Sequence, residues 1–285
     1  MSGEQSDAQF IATELNNLAR ESYLASLFVP DEFRGDIQTL LCFSAEVSTV
    51  RQRVSEPMPG EIRLQWWHDV IEGKRDDEAR ANPLAASLLR TISKHNLPRV
   101  PLLRLVAAHR FDLYDDPMTN VNQFEGYAGE TRAAIFQFAA MILDSSADQQ
   151  VAELAEAAGH MGVALCYLEK LKQFERDAAN GQIFLPFSVF ESFGLSDGQV
   201  LAREKAPELN AAMSAHLEAA KTHLERAENA IANTSKEMRP AFVRLAFLKK
   251  QIAKMQRATD AFYLSYVDIA DWQKLWTGFW FVAKN

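Results

Sequence analysis

The sequence has little of what marks a secreted, zinc-stapled or membrane-spanning chain. Among 285 residues there are two cysteines, Cys42 and Cys166, and neither stands in a C-x-x-C or Cys/His cluster. That argues against a disulfide framework and against a structural zinc site, and it fits a reducing compartment. No run of about 18 apolar residues occurs, so no spanning helix is expected. The opening MSGEQSDAQFIATELNNLAR carries acids early and has no apolar h-region, so no secretory signal is expected either. Positive charge is in deficit, with a formal net charge of −8. This argues against a nucleic-acid binder, which would show a basic face, and against a strongly polybasic membrane anchor. A cytoplasmic protein is expected, and any membrane contact would be peripheral, at the inner membrane.

Strand signals are also missing. No Asn-Gly or Asp-Gly turn sits between alternating apolar runs. The six histidines are scattered without an H-x-x-x-H pair. His216 and His223, seven apart in a polar Ala/Glu/Lys stretch, are expected at the surface. Ser-His-Asp, P-loop and dinucleotide fingerprints are absent.

What is present is helical periodicity. Apolar residues make up 48% of the chain, enough for a large core, and they recur at spacings of three and four. Prolines and glycines punctuate the pattern. The spacing predicts helices near 7–25, 31–53, 59–72, 83–95, 99–115, 120–143, 148–178, 186–192, 207–233, 238–258 and 268–282. Asp148 can cap its helix, and Pro207 with Glu208 reads as a helix start. With no repeat, low-complexity tract or linker, one α-helical domain over 1–285 is expected.

Residues 159–186 read GHMGVALCYLEKLKQFERDAANGQIFLP. This resembles the second signature of squalene and phytoene synthases, roughly G-x-A-x-Q-L-T-N-I-L-R-D-x-x-E-D-A-x-x-G-R-x-Y-L-P. Asp177-Ala178 fall on its D-A and Gly181 to Pro186 on its G-R-x-Y-L-P. The first metal-binding aspartate of the motif then falls on Gln173, and Glu169 replaces an asparagine. On a helix, Cys166, Glu169, Gln173 and Asp177 share one face. Glu169 and Asp177 are the only candidates for a cation there. The plainer alternative pairs them with Lys170, Lys172, Lys249 or Lys250, and no metal site is assigned.

The same family carries an early L-Y-x-F-C-R-x-x-D-D-x-x-D helix. Here the matching stretch runs from Leu40 to Arg53, and with Phe43 on the motif's Phe the three metal-binding acids fall on Ser48, Thr49 and Gln52. The stripe Ile37, Leu40, Leu41, Val47, Val50 and Val54 marks the packed face, while positions 45, 48, 49 and 52 share another. Arg51 and Arg53 either add positive charge to that face or point to solvent. Tyr127 and Gly129 match a further family landmark of small residues, but Glu130 and Arg132 depart from it unless both point outward. Asp112, Asp115 and Asp116, before Pro117, read as a solvated helix exit and receive no metal.

The resemblance implies an all-α isoprenoid-synthase bundle around a central cavity. It covers about residues 15 to 280. Phe43-Ser44-Ala45-Glu46, Val50-Arg51 and Arg63-Leu64-Gln65-Trp66-Trp67 resemble more closely the non-enzymatic branch of complex I assembly factors. The terminal Trp272-Gln273-Lys274-Leu275-Trp276 does too. Trp66 and Trp67 are expected in the core, as are Trp272 and Trp276, with Trp280 open. The function this implies is a non-catalytic scaffold or assembly factor with a protein partner such as respiratory complex I subunits, and no cofactor. One alternative is a Mg2+-dependent head-to-head prenyl transferase. Another is an isoprenoid or lipid carrier.

Overall fold

The computed structural model describes residues 2–147, 150–258 and 268–284, with side chains from Ser6 onward. Every regular element among them is helical. In chain order these are α1 (Ser2–Leu18), α2 (Arg20–Ser26), α3 (Asp31–Ser48), α4 (Pro57–Glu72), α5 (Asp76–Ala81), α6 (Pro83–Lys94), α7 (Arg99–Ala108), α8 (Val121–Ala128), α9 (Ala134–Leu143), α10 (Val151–Ala179), α11 (Phe187–Ser192), α12 (Asp197–Leu201), α13 (Ala206–Ile231), α14 (Arg244–Arg257) and α15 (Asp271–Lys284). The expected cap Asp148 lies outside the described residues.

Most boundaries follow the breakers. Pro57 and Pro83 open α4 and α6, and Gly73 closes α4 in the left-handed conformation (φ 82°) that glycine adopts without strain. The expected single helix over 7–25 is instead two. Ala19 leaves helical geometry (φ −147°, ψ 69°) with no proline or glycine to announce it. Helices α5 and α12 were not expected. α12 begins with a capping box between Ser196 and Gln199, a pattern readable in sequence.

α10 is the central element. Met161 to Leu168 are all buried, eight in succession, because α8, α9, α13 and α14 surround the helix. Between α8 and α9 the chain makes a π turn over Gly129–Ala133. Gly162 lets α10 approach it, since a Cβ there would stand 2.5 Å from the Ala133 nitrogen. A second core gathers around α3, α4, α6 and α7. There Phe43 packs edge-on against Trp67 at 5.1 Å, and Trp66 donates to Glu78 at 2.8 Å. Trp67 is buried as expected, while Trp66 is half-buried at the edge of this core.

The last helix does not. Trp272 and Trp276 are 68% and 57% exposed, against the expectation that they pack. The inward line of α15 is instead Lys274 and Gly278, one helical turn apart, and both are buried. A Cβ on Gly278 would come within 2.5 Å of the Phe28 ring. With that line facing inward, the 100° step per residue turns Trp272, Trp276 and Phe279 to the far side. Trp280 is exposed beside them. The histidine expectation also fails: His216 is buried, and half-buried His223 sits 3.1 Å from His160 Nδ1, Nδ1 to Nδ1.

Candidate functional site

A cavity of about 660 Å3 opens between α2, α3, the π turn, α9, α10 and the start of α14. Its wall changes character along two helices. On α3 the lining runs from Ile37 and Leu41 to Ser48, with Thr49 and Gln52 just beyond, and on α10 from Leu165 to Glu169, Gln173 and Asp177. The polar ends converge. Gln182, just past α10, donates to the Asp112 carbonyl at 3.1 Å, and Arg51, just past α3, lies 3.8 Å from Asp115. All six positions singled out in the sequence, Ser48, Thr49, Gln52, Glu169, Gln173 and Asp177, line this one cavity.

The partners of the acids differ from those expected. Glu169 is held by Arg132 at 2.7 Å and Arg244 at 3.5 Å, rather than by a lysine. Lys249 is engaged elsewhere, with Glu228. Arg132 points into the cavity, while Glu130 faces outward. Burial pushes the Glu169 carboxyl upward, but the two guanidiniums outweigh it and hold the group below its usual range. Glu21, brought in by the break at Ala19, meets Lys172 at 2.8 Å, Arg244 at 3.3 Å and Lys274 of α15 at 3.3 Å. Burial opposes its ionisation too, and the three cations hold it far below the ordinary carboxylate range.

Asp177 is the reverse case. It is 5% exposed, its nearest cation is the neighbouring Arg176 at 3.3 Å, and its Oδ2 is buried without a hydrogen bond. Burial raises its carboxyl above the normal range despite nearby Lys170 and Arg176. Asp112 is not in a solvated turn as expected. It is buried and accepts from the Tyr127 hydroxyl at 2.9 Å and from His109 Nδ1 at 2.7 Å. Burial keeps His109 below its usual value, and its Nε2 has no partner. Asp115 and Asp116 are exposed, as read. Arg51 lines the cavity, whereas Arg53 pairs with Glu46 at 2.6 Å.

Mg2+ takes an octahedral oxygen shell, usually with one or two carboxylates plus substrate phosphates. The donors here do not fit it. The α3 side offers two hydroxyls and an amide, Glu169 is committed to two arginines, and Asp177 stands alone beside an arginine. Seven basic side chains line the cavity against four carboxylates. On α4, His68, Asp69 and Glu72 cluster as well, but Arg75 and Lys74 already neutralise the two acids.

The helical frame and this cavity find counterparts among known proteins. The family model for squalene/phytoene synthase matches residues 15–277. The chain belongs to the squalene/phytoene synthase family. It is 28% identical over 249 residues to NADH dehydrogenase (ubiquinone) complex I, assembly factor 6, of Rattus norvegicus, covering 86% of this chain and 73% of the rat protein. The Homo sapiens protein of the same name is 27% identical over 268 residues, covering 89% and 78%. Among solved structures, a dehydrosqualene synthase in complex with ligand matches with a TM-score of 0.79 at 15% identity, covering 99% of this chain and 98% of that one. The squalene synthase HpnC from Alicyclobacillus acidocaldarius gives 0.72 at 18% identity, covering 90% and 95%. These structures establish the isoprenoid-synthase fold.

Sequence reasoning missed Glu21, Arg244 and the burial of Asp112. Arg132 was visible as a departure from a small-residue landmark. Glu21 and Arg244 had no signal, because their roles come from contacts far apart in the chain, whereas the partners of Asp112 (His109 and Tyr127) are near it in sequence.

Proposed function

We propose that this family member is non-catalytic and acts as a scaffold or assembly factor, with respiratory complex I as its target. The observation that carries the reading is the neutral α3 side of the cavity. Prenyl coupling starts by ionising an allylic diphosphate, whose charge must be neutralised as it leaves, by metal and basic groups together. Ser48, Thr49 and Gln52 supply no ionised carboxylate to recruit that metal, and no cofactor is required by the scaffold reading. The similarity to mammalian assembly factor 6 supports the target. The aromatic outer face of α15 supports peripheral attachment at the inner membrane, since tryptophans favour the membrane–water interface. No helix among the described residues is long and apolar enough to cross a membrane.

Two measurements test this. Incubation with farnesyl or geranylgeranyl diphosphate and Mg2+ should release neither pyrophosphate nor hydrocarbon. Turnover near about 1 per second, an ordinary enzyme rate, would restore the prenyl transferase reading. Deleting the gene in its own organism should lower assembled complex I on native gels, and unchanged assembly would remove the target. The open cavity favours a second reading, an isoprenoid or lipid carrier, which would show as a ligand co-purifying with the protein.

A further inference from the structure

The geometry points to a second site, outside the central cavity, that takes a Zn2+-class divalent cation through His160 and His223. It goes beyond the reading above and is independent of whether the cavity is catalytic. The site grows out of the seam between α10 and α13. Seven residues make about two helical turns, so His160 and Tyr167 lie in line on α10, and His216 and His223 on α13. The helices run antiparallel here, and the two lines face each other. His160 meets His223 with ring centroids 5.1 Å apart, and Tyr167 meets His216 at 5.9 Å. His216 is buried against Phe190. His160 and His223 are half-buried, so solvent reaches them. Neither lines the cavity.

The ring nitrogens are already spaced nearly as ligands. His160 Nδ1 stands 3.1 Å from His223 Nδ1. Two ligand nitrogens of a tetrahedral zinc shell, with Zn–N bonds of about 2.0–2.1 Å, lie roughly 3.3–3.4 Å apart. A small adjustment of the two side chains therefore admits the ion. His223 is also oriented as a ligand. Its Nε2 faces Glu125 of α8 at 3.3 Å. With the Nε2 proton donated to that carboxylate, Nδ1 presents its lone pair. A carboxylate behind the far nitrogen is the common outer support of a metal-bound imidazole. Glu125 is positioned by its neighbour Phe124, which is fully buried with its ring centroid 4.2 Å from that of Tyr167. In the metal-free pair His160 Nδ1 is the donor, and on binding His160 carries its proton on Nε2 instead. Arg226, exposed one turn along α13, opposes a cation here, and Glu125 offsets it.

The ligand set selects the metal. Imidazole nitrogen suits Zn2+, Ni2+ and Cu2+, whereas Mg2+ prefers oxygen. Two protein ligands leave the remaining positions to water, so the ion exchanges with solvent while it clips α10 to α13. The cluster on α4 differs, because Asp69 and Glu72 are already paired with Arg75 and Lys74.

The test is calorimetric titration of the full chain with ZnCl2, after EDTA treatment and dialysis, with MgCl2 as the contrast. One equivalent of Zn2+ should bind and raise the melting temperature, and Mg2+ should do neither at the same concentration. His160→Gln and His223→Gln should each weaken the binding at least about tenfold, and Glu125→Gln about tenfold, the loss of an outer-shell partner. His68→Gln, in the α4 cluster, should leave it unaltered. Melting curves of the metal-free variants establish that they fold. Should a variant fail to fold, the unsubstituted chain still decides: in long-range 1H–15N spectra Zn2+ should move the ring nitrogens of two of the six histidines. Absence of Zn2+ binding would leave only a hydrogen-bonded pair of neutral imidazoles and overturn the inference. So would an equal response to Mg2+, or unaltered affinity in folded His160→Gln and His223→Gln. Loss of the binding in His68→Gln, or ring signals that do not move, would overturn it as well.

Discussion

The cavity wall and the outer face of α15 invert the usual placement of polarity. Inside, Glu21, Glu169, Arg132, Arg244 and Lys172 form a charged network largely closed to water. Outside, Trp272, Trp276, Phe279 and Trp280 stand exposed on one helix. The two regions meet at Lys274, which leaves α15 inward to reach Glu21 at 3.3 Å and Asp268 at 2.7 Å. Buried ion pairs contribute little net stability, because desolvation offsets their attraction. Exposed aromatics contribute even less to folding. Both features are therefore poorly explained by stability.

The sharpest way to break this contrast is Glu169→Ala. It strands Arg132 in the wall without a counter-charge and leaves Arg244 to Glu21 alone, and should cost roughly 3–5 kcal/mol in urea unfolding. A loss below about 1 kcal/mol would mean the network is solvated after all. Acid should act in the same direction. Glu21, Glu169 and Asp112 have folded pKa values below their unfolded ones, so their stabilisation is present above the ordinary carboxylate range. It is lost as pH falls through that range toward the folded values, and unfolding midpoints measured downward from pH 5 should drop.

Next in size is Gly278→Leu, which tests the seam where α15 meets the body. The side chain would enter the Phe28 ring, and the displacement should cost about 1–3 kcal/mol. A smaller effect follows from Asp177→Asn. Burial raises the folded pKa of Asp177 above the unfolded one, so its contribution is favourable below the unfolded pKa and is lost as pH rises through the folded value. The variant should therefore gain up to about 1 kcal/mol at neutral pH and nothing near pH 4. A loss of stability at neutral pH would show that the ionised carboxylate has a partner of its own. The least effect on folding belongs to the double variant Trp272→Ser and Trp276→Ser. Stability should move by no more than about 0.5 kcal/mol per site, while sedimentation with liposomes should fall. A large drop in melting temperature would put these rings back in the core.

The helices, the family and the six cavity positions were legible because each rests on local spacing. Glu169 and Gln173 are four apart on α10, and periodicity alone puts them on one face; Ser48 and Gln52 come to the same wall although α3 ends at Ser48 and a 3-10 turn over Val50–Arg53 carries Gln52. The contents of the cavity were less legible. Glu21 and Lys172 are separated by 151 residues, and no spacing rule joins them. The aromatic stripe of α15 was visible, but its direction was not. Periodicity identifies a face without saying which side packs, and the decisive residues, Lys274 and Gly278, look like the polar side of the helix. Asp112 was misread because Asp115 and Asp116, two genuinely exposed acids, stand beside it.

The π turn at Gly129–Ala133 has a consequence for how this chain is set against its relatives. A π turn accommodates one residue more than an α-helix spanning the same hydrogen-bonded path. Each residue of an α-helix advances the direction of the side chain by about 100°. A relative whose helix runs regularly through this point would therefore be one residue shorter there and still present Ile135 and Phe136 to the same wall. In such a protein one of the five residues from Gly129 to Ala133 has no counterpart at all, rather than a substituted one. The wall beside Glu169 is then a matter of chain length as much as of residue identity.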